Sequence, residues 1–206
     1  MLEKHRRWPN LIERVRLFLS AILIFAMSIE CSQPAAAFTV NTTPLTSTQK
    51  HIETLGTGIA IALPLTAGGI ALYKSDKKGL VQLAVESALT VGTAYALKNI
   101  VREKRPDGSD YQSFPSDTTA LATSGSSFLW GRYGWEYGLP ATALTQFVSY
   151  SRIQARQHRW YDTLTSSAIA AGYSYVLTTP FKRRYNIDTS LSAAPDGALV
   201  RMSYVW

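Results

Sequence analysis

Nineteen consecutive residues, 55–73, carry no charge. A stretch that long and apolar has to bury its surface, either in a bilayer or in a protein core. It also holds four glycines, threonines and Pro64. It therefore predicts a helix over about residues 48–73 that either crosses a membrane or packs as a kinked core helix.

The chain downstream repeats the theme of apolar runs of helical length divided by short polar blocks. A second helix is expected over about 80–105, carrying Gln82 and Glu86, with Pro106 stopping it. A third begins at Ser116, a good N-cap after Pro115, and runs to about Trp130. A fourth covers about 139–152 and a fifth about 160–179. The helices are rich in Gly, Ala, Ser and Thr, which lets them pack closely in or out of lipid. The third is too polar over 118–127 to face lipid tails. The mean hydropathy of −0.02 is low for a chain made mainly of membrane spans. The expected fold class is thus all-α, a compact helical bundle of about five helices, with a membrane-associated bundle as the competing reading. At 182–206 a basic turn (Lys182, Arg183, Arg184) precedes alternating residues such as Val200, Met202, Tyr204 and Trp206. This is strand periodicity, and it predicts a short β-hairpin capping the bundle.

With 206 residues, one domain is expected, spanning about 48–181 after a polar linker at 38–47. Residues 1–37 have the form of an export signal. Lys4, Arg6, Arg7, Arg14 and Arg16 precede the apolar run 17–27, which is short for a span, and Ala35-Ala36-Ala37 offers a cleavage site before Phe38. This predicts an exported, periplasmic protein. Its lone Cys31 excludes an intrachain disulfide and a cysteine-based zinc site. The net charge of +7 suits a phosphorylated substrate or an anionic membrane surface. The cations are dispersed, with no basic arm, which argues against nucleic acid. The sequence leaves oligomeric state open.

Three blocks between Lys98 and Asp162 carry the chemistry. Lys98 and Arg105 are seven apart, two turns of one helix face and roughly 10 Å along the axis, so both side chains would reach one anion. Ser116 opens a helix, whose free N–H groups form an anion site. Arg152 offers a bidentate fork to phosphate. His158 and Asp162, four apart on one helix face, allow the carboxylate to fix the imidazole tautomer and leave the other nitrogen free. Taken singly, each block also reads as ordinary structure: a solvated basic face, an N-cap, a surface His–Asp pair.

Taken together, Lys98-x6-Arg105-Pro106, Pro115-Ser116 and Ser151-Arg152-x5-His158-x3-Asp162 resemble the motifs of the type 2 phosphatidic acid phosphatase family. That family also includes bacterial acid phosphatases and vanadium haloperoxidases. The motifs cover 98–162, about a third of the chain. The resemblance implies a helical bundle with the motifs at one end. Lys98, Arg105, Arg152 and Ser116 would bind phosphate, His158 would form a phosphohistidine, and Asp162 would orient it. It implies no metal and no cofactor, and as partner a phosphorylated small molecule or a lipid phosphate.

The second motif departs from the family. Pro115-Ser116-Asp117-Thr118 stands where the family has Pro-Ser-Gly-His, so the histidine that protonates the leaving oxygen is replaced by Thr118. A general acid contributes about 10²–10⁴ in rate, so its loss weighs most on poor leaving groups. Three readings follow: a phosphatase for phosphoanhydrides or activated esters, including lipid pyrophosphates; an enzyme in which Asp117 is the substitute acid, its proton retained through repulsion from bound phosphate; or a relative that binds phosphate or phospholipid without turnover. A haloperoxidase is disfavoured by the small size and the missing histidine. His51 is a further histidine with no other signal.

Overall fold

The structure is a computed structural model that describes residues 40–181. Beyond these, only the backbone pairing of Ile187–Ala194 with Gly197–Tyr204, antiparallel, is assigned. The export signal and the capping role of the hairpin lie outside the described residues.

Five helices make the bundle: α1 Ser47–Tyr73, α2 Lys77–Val101, α3 Asp117–Tyr133, α4 Trp135–Gln154 and α5 Trp160–Leu177. Local signals set most of their ends. Thr46 caps α1 in a capping box with Gln49, Asp76 caps α2 through Gly79, and Ser116 caps α3 through Thr119. Gly134, at φ 94°, makes the corner between α3 and α4. That one-residue turn is why α4 begins at Trp135, four residues earlier than the expected start at about 139.

The end of α2 corrects a sequence expectation. The helix stops at Val101, not beside Pro106, because Arg102 adopts a left-handed conformation at φ 46° and donates its N–H to Lys98 O. The next residues then pair with the returning loop: Ser113 N donates to Glu103 O and Arg105 N to Asp110 O. Those loop bonds replace the helix bonds that residues 102–105 would have made.

α3 is the axis of the bundle and packs against the other four helices. Its small residues make this possible. A Cβ on Gly125 would lie 2.6 Å from the backbone nitrogen of Pro64, so any side chain there would push α1 away. Phe128, fully buried, fills the centre among Leu63, Leu83, Leu129 and Val148. Truncating such a side chain costs about 3–5 kcal/mol. The hydroxyls that make α3 polar are satisfied internally. Thr123 bonds Thr119 O, Ser126 receives Thr145, and Ser127 bonds the buried carboxylate of Glu86.

The polar helix thus lies inside while apolar faces point outward. α1 and α2 are each long and apolar enough to cross a membrane, yet only 28% and 22% of their most apolar windows are buried. Leu55, Leu65, Leu72, Val81 and Leu89 are exposed. Exposed aromatics cluster near both ends of the bundle: Tyr95, Tyr150 and Trp160 at one, Tyr73, Trp130 and Trp135 at the other.

Candidate active site

The alternating direction of the helices brings the start of α1, the end of α2, the start of α3, the end of α4 and the start of α5 to one end. The motif residues sit there. Lys98 is buried in the last turn of α2; its ammonium donates to Gln112 O at 2.7 Å and lies 3.5 Å from Asp117. Asp117 opens α3 with its side chain half exposed, and it accepts from Thr118 N.

Arg105 lies in the loop after α2, so it does not share a helix face with Lys98. It reaches the cluster through the loop instead, with Nε paired to Asp110 at 2.7 Å. Burial pushes the Asp110 carboxyl up, but the Arg105 hydrogen bond and charge, the Gln112 N–H and the charge of Lys98 together hold it below the usual carboxylate range. Ser116 is fully buried, and its hydroxyl is engaged in capping: it accepts from Thr119 N and donates to Thr119 Oγ1.

Arg152, buried in the last turn of α4, clamps the start of α1. One terminal nitrogen donates to Glu53 O at 2.6 Å and to Thr57 Oγ1 at 2.9 Å; the other donates to Gln157. The clamp needs close helix contact. A Cβ on Gly56 would lie 1.9 Å from Ser151 Oγ. Residues of the expected linker join the same end, because Arg156 binds Asn41 and Thr43.

His158 lies just before α5 and is 2% exposed. Its Nδ1 is 2.6 Å from Ser113 O. A carbonyl only accepts, so Nδ1 carries the proton and Nε2 keeps its lone pair. Asp162 was expected to be that acceptor. Its Oδ2 is instead 3.7 Å from Nδ1, beyond hydrogen-bond length, and is occupied by Ser113 Oγ and Arg159 N, each at 2.7 Å. Burial pulls the imidazole below its ordinary value; Asp162 opposes this, while Lys98 and Arg105 add to it.

The structure therefore brings Lys98, Arg105, Asp117, Arg152, His158 and Asp162 to one end, with each cation already engaged by protein groups. Ser113 was missed by sequence reasoning, since nothing distinguishes it from other loop serines in a single sequence. His51 is exposed on the first turn of α1. A cavity of about 460 Å³ lies at the opposite end, where the Lys74 ammonium stands over Tyr133 and Tyr137.

No family model and no solved structure matches the chain. Among curated proteins, it is 31% identical over 159 residues to the lipid A 4'-phosphatase of Helicobacter pylori, covering 70% of this chain and 80% of that protein. With that extent of similarity, the chain belongs to the type 2 phosphatidic acid phosphatase family.

Proposed function

We propose that the protein is a membrane-associated lipid phosphatase that hydrolyses phosphate from a lipid phosphate or pyrophosphate through a phosphohistidine at His158. The observation that carries this reading is the state of His158: buried, with Nδ1 donated to Ser113 O, Nε2 unprotonated, and Lys98 and Arg105 acting on it electrostatically. A neutral imidazole close to cationic side chains can serve as a nucleophile towards a phosphate group. The relative named as a lipid A 4'-phosphatase and the outward apolar faces support a lipid substrate.

In the reaction the Nε2 lone pair attacks phosphorus and the bond from phosphorus to the leaving oxygen breaks. Lys98, Arg105 and Arg152 neutralise charge on the transferring group. Water then attacks phosphorus, the P–N bond breaks, phosphate departs and Nε2 regains its lone pair. The leaving oxygen must find a proton, and Thr118 is no acid at neutral pH. Asp117 is ion-paired to Lys98 at 3.5 Å, so the reading favours leaving groups that depart without protonation, such as the phosphate of a pyrophosphate.

The test is phosphate release by wild type and His158→Ala from a phosphoanhydride, a lipid phosphate and an aryl phosphate, with acid-labile phosphohistidine trapped by rapid quench. Wild type is expected to turn over and label, and the variant to do neither. If both are silent on every substrate, the enzyme reading falls and a phosphate-binding role replaces it.

A further inference from the structure

We propose that Ser113 is the positioning residue for His158, holding the imidazole through its backbone carbonyl and the counter-charge of Asp162 through its hydroxyl. The inference rests on the phosphatase reading but is testable apart from it. The carbonyl is 2.6 Å from Nδ1 and fixes which nitrogen carries the proton. The hydroxyl donates to Asp162 Oδ2 at 2.7 Å, and Arg159 N donates to the same oxygen at 2.7 Å. Two donors on one oxygen hold the carboxylate 3.7 Å from Nδ1, near enough to act as a charge and too far to act as a hydrogen-bond acceptor. Asp162 is fully buried, and its Oδ1 has no hydrogen-bond partner among the described residues.

Ser113 is itself held rigidly. It is fully buried, and its N–H donates to Glu103 O at 2.9 Å. The Glu103 carboxylate accepts from Arg159 at 2.7 Å and from the Tyr161 hydroxyl. One loop residue thus ties the end of α2 to the start of α5 on either side of the imidazole.

This arrangement divides two tasks that a direct His–Asp hydrogen bond would combine. The carbonyl sets the tautomer, and no side-chain substitution removes it. Asp162 supplies only charge, which is needed when Nε2 attack makes the ring cationic with Nδ1–H retained. The charged groups that act on the ring are Asp162 at the start of α5, Lys98 of α2 and Arg105 of the loop.

The experiment is nitrogen NMR of the full chain with labelled histidine, for wild type, Ser113→Ala, Ser113→Thr and Asp162→Asn, with kcat and KM across pH. Asp162→Asn is expected to keep Nδ1–H, to lower the His158 titration further, and to lose far less than the about 10⁴-fold in kcat that a wrong tautomer costs. Ser113→Ala frees Oδ2 to approach the ring; its His158 titration moves up and kcat falls about tenfold at unchanged KM, with Ser113→Thr restoring both. A tautomer switch in Asp162→Asn overturns the proposal, as does a Ser113→Ala protein that titrates and turns over like wild type. If Ser113→Ala does not fold, the Asp162→Asn tautomer decides. If wild type has no activity, the phosphatase reading fails while the NMR outcomes still decide the role of Ser113.

Discussion

The ammonium of Lys98 lies 3.5 Å from the carboxylate of Asp117, so an anion belonging to the protein occupies part of the proposed phosphate cradle. A phosphate entering the site competes with Asp117 for Lys98, and the half-exposed carboxylate can swing away towards solvent at modest cost. A pair exposed on one side is worth about 0.2–1 kcal/mol. Asp117→Asn is therefore expected to lower KM for a phosphoanhydride by up to about fivefold, with kcat unchanged. Steady-state kinetics on good and poor leaving groups checks this. A fall of 10²-fold or more in kcat confined to poor leaving groups would make Asp117 the acid instead.

Restoring the missing acid should change leaving-group dependence rather than overall rate. Thr118→His combined with Asp117→Gly places an imidazole on the first turn of α3. Turnover of alkyl phosphates is expected to rise about 10²-fold, with less than about tenfold change on phosphoanhydrides. The measurement is a series of esters with graded leaving groups. An equal effect across the series rejects the missing-acid argument.

The charge state of His158 links activity and stability to pH. Burial lowers its titration from the ordinary value of 6.5. The neutral nucleophile therefore persists below that pH, and the acid limb of kcat/KM is expected below 6.5. The sign for stability follows from the same depression. The unfolded chain takes up the proton near 6.5 and the folded chain only at lower pH. The stabilising contribution is present in full above the unfolded value and is lost as pH falls through the folded one. Thermal unfolding from pH 7.5 to 5 should show this slope, and it should be shallower in His158→Asn. A kcat/KM limb above pH 7 contradicts the assignment.

The parts of this molecule legible in sequence are those fixed by local rules. Five helices follow from apolar runs, and the Ser116 cap and the Gly/Ser/Thr-rich α3 were readable because caps and small residues act within a few positions. The end of α2 was not legible. Pro106 is a strong stop, but Arg102 breaks the helix four residues earlier because loop bonds from Asp110 and Ser113 compete for that backbone. The same long-range pairing hid Ser113. Its importance arises from what lies across the loop, and an i,i+4 spacing alone suggested a His–Asp bond that the competing donors on Asp162 prevent. For α1 the uncharged run was compatible with a membrane span and with a kinked core helix, and its apolar face points outward, with only 28% of its most apolar window buried.

That outward face yields a prediction about location. On α4 the exposed Trp135 and Tyr150 are roughly 22 Å apart at about 1.5 Å per residue, and Trp160 and Tyr175 are separated by the same interval on α5. Aromatic side chains favour the two interfaces of a bilayer, whose hydrocarbon layer is about 30 Å thick. Between the two sets lie exposed Leu139, Leu144 and Leu164, with Leu65 and Leu89 on α1 and α2. Burying such side chains in lipid is worth about 1.5–3 kcal/mol each, far more than a surface electrostatic attachment supplies. The protein is therefore expected to sediment with membranes, to stay there through alkaline carbonate and high salt, and to be released by detergent. Leu65→Lys with Leu89→Lys should shift it towards the soluble fraction or prevent its insertion. Release of wild type by carbonate alone would refute the lipid-facing assignment and leave a peripheral or soluble bundle.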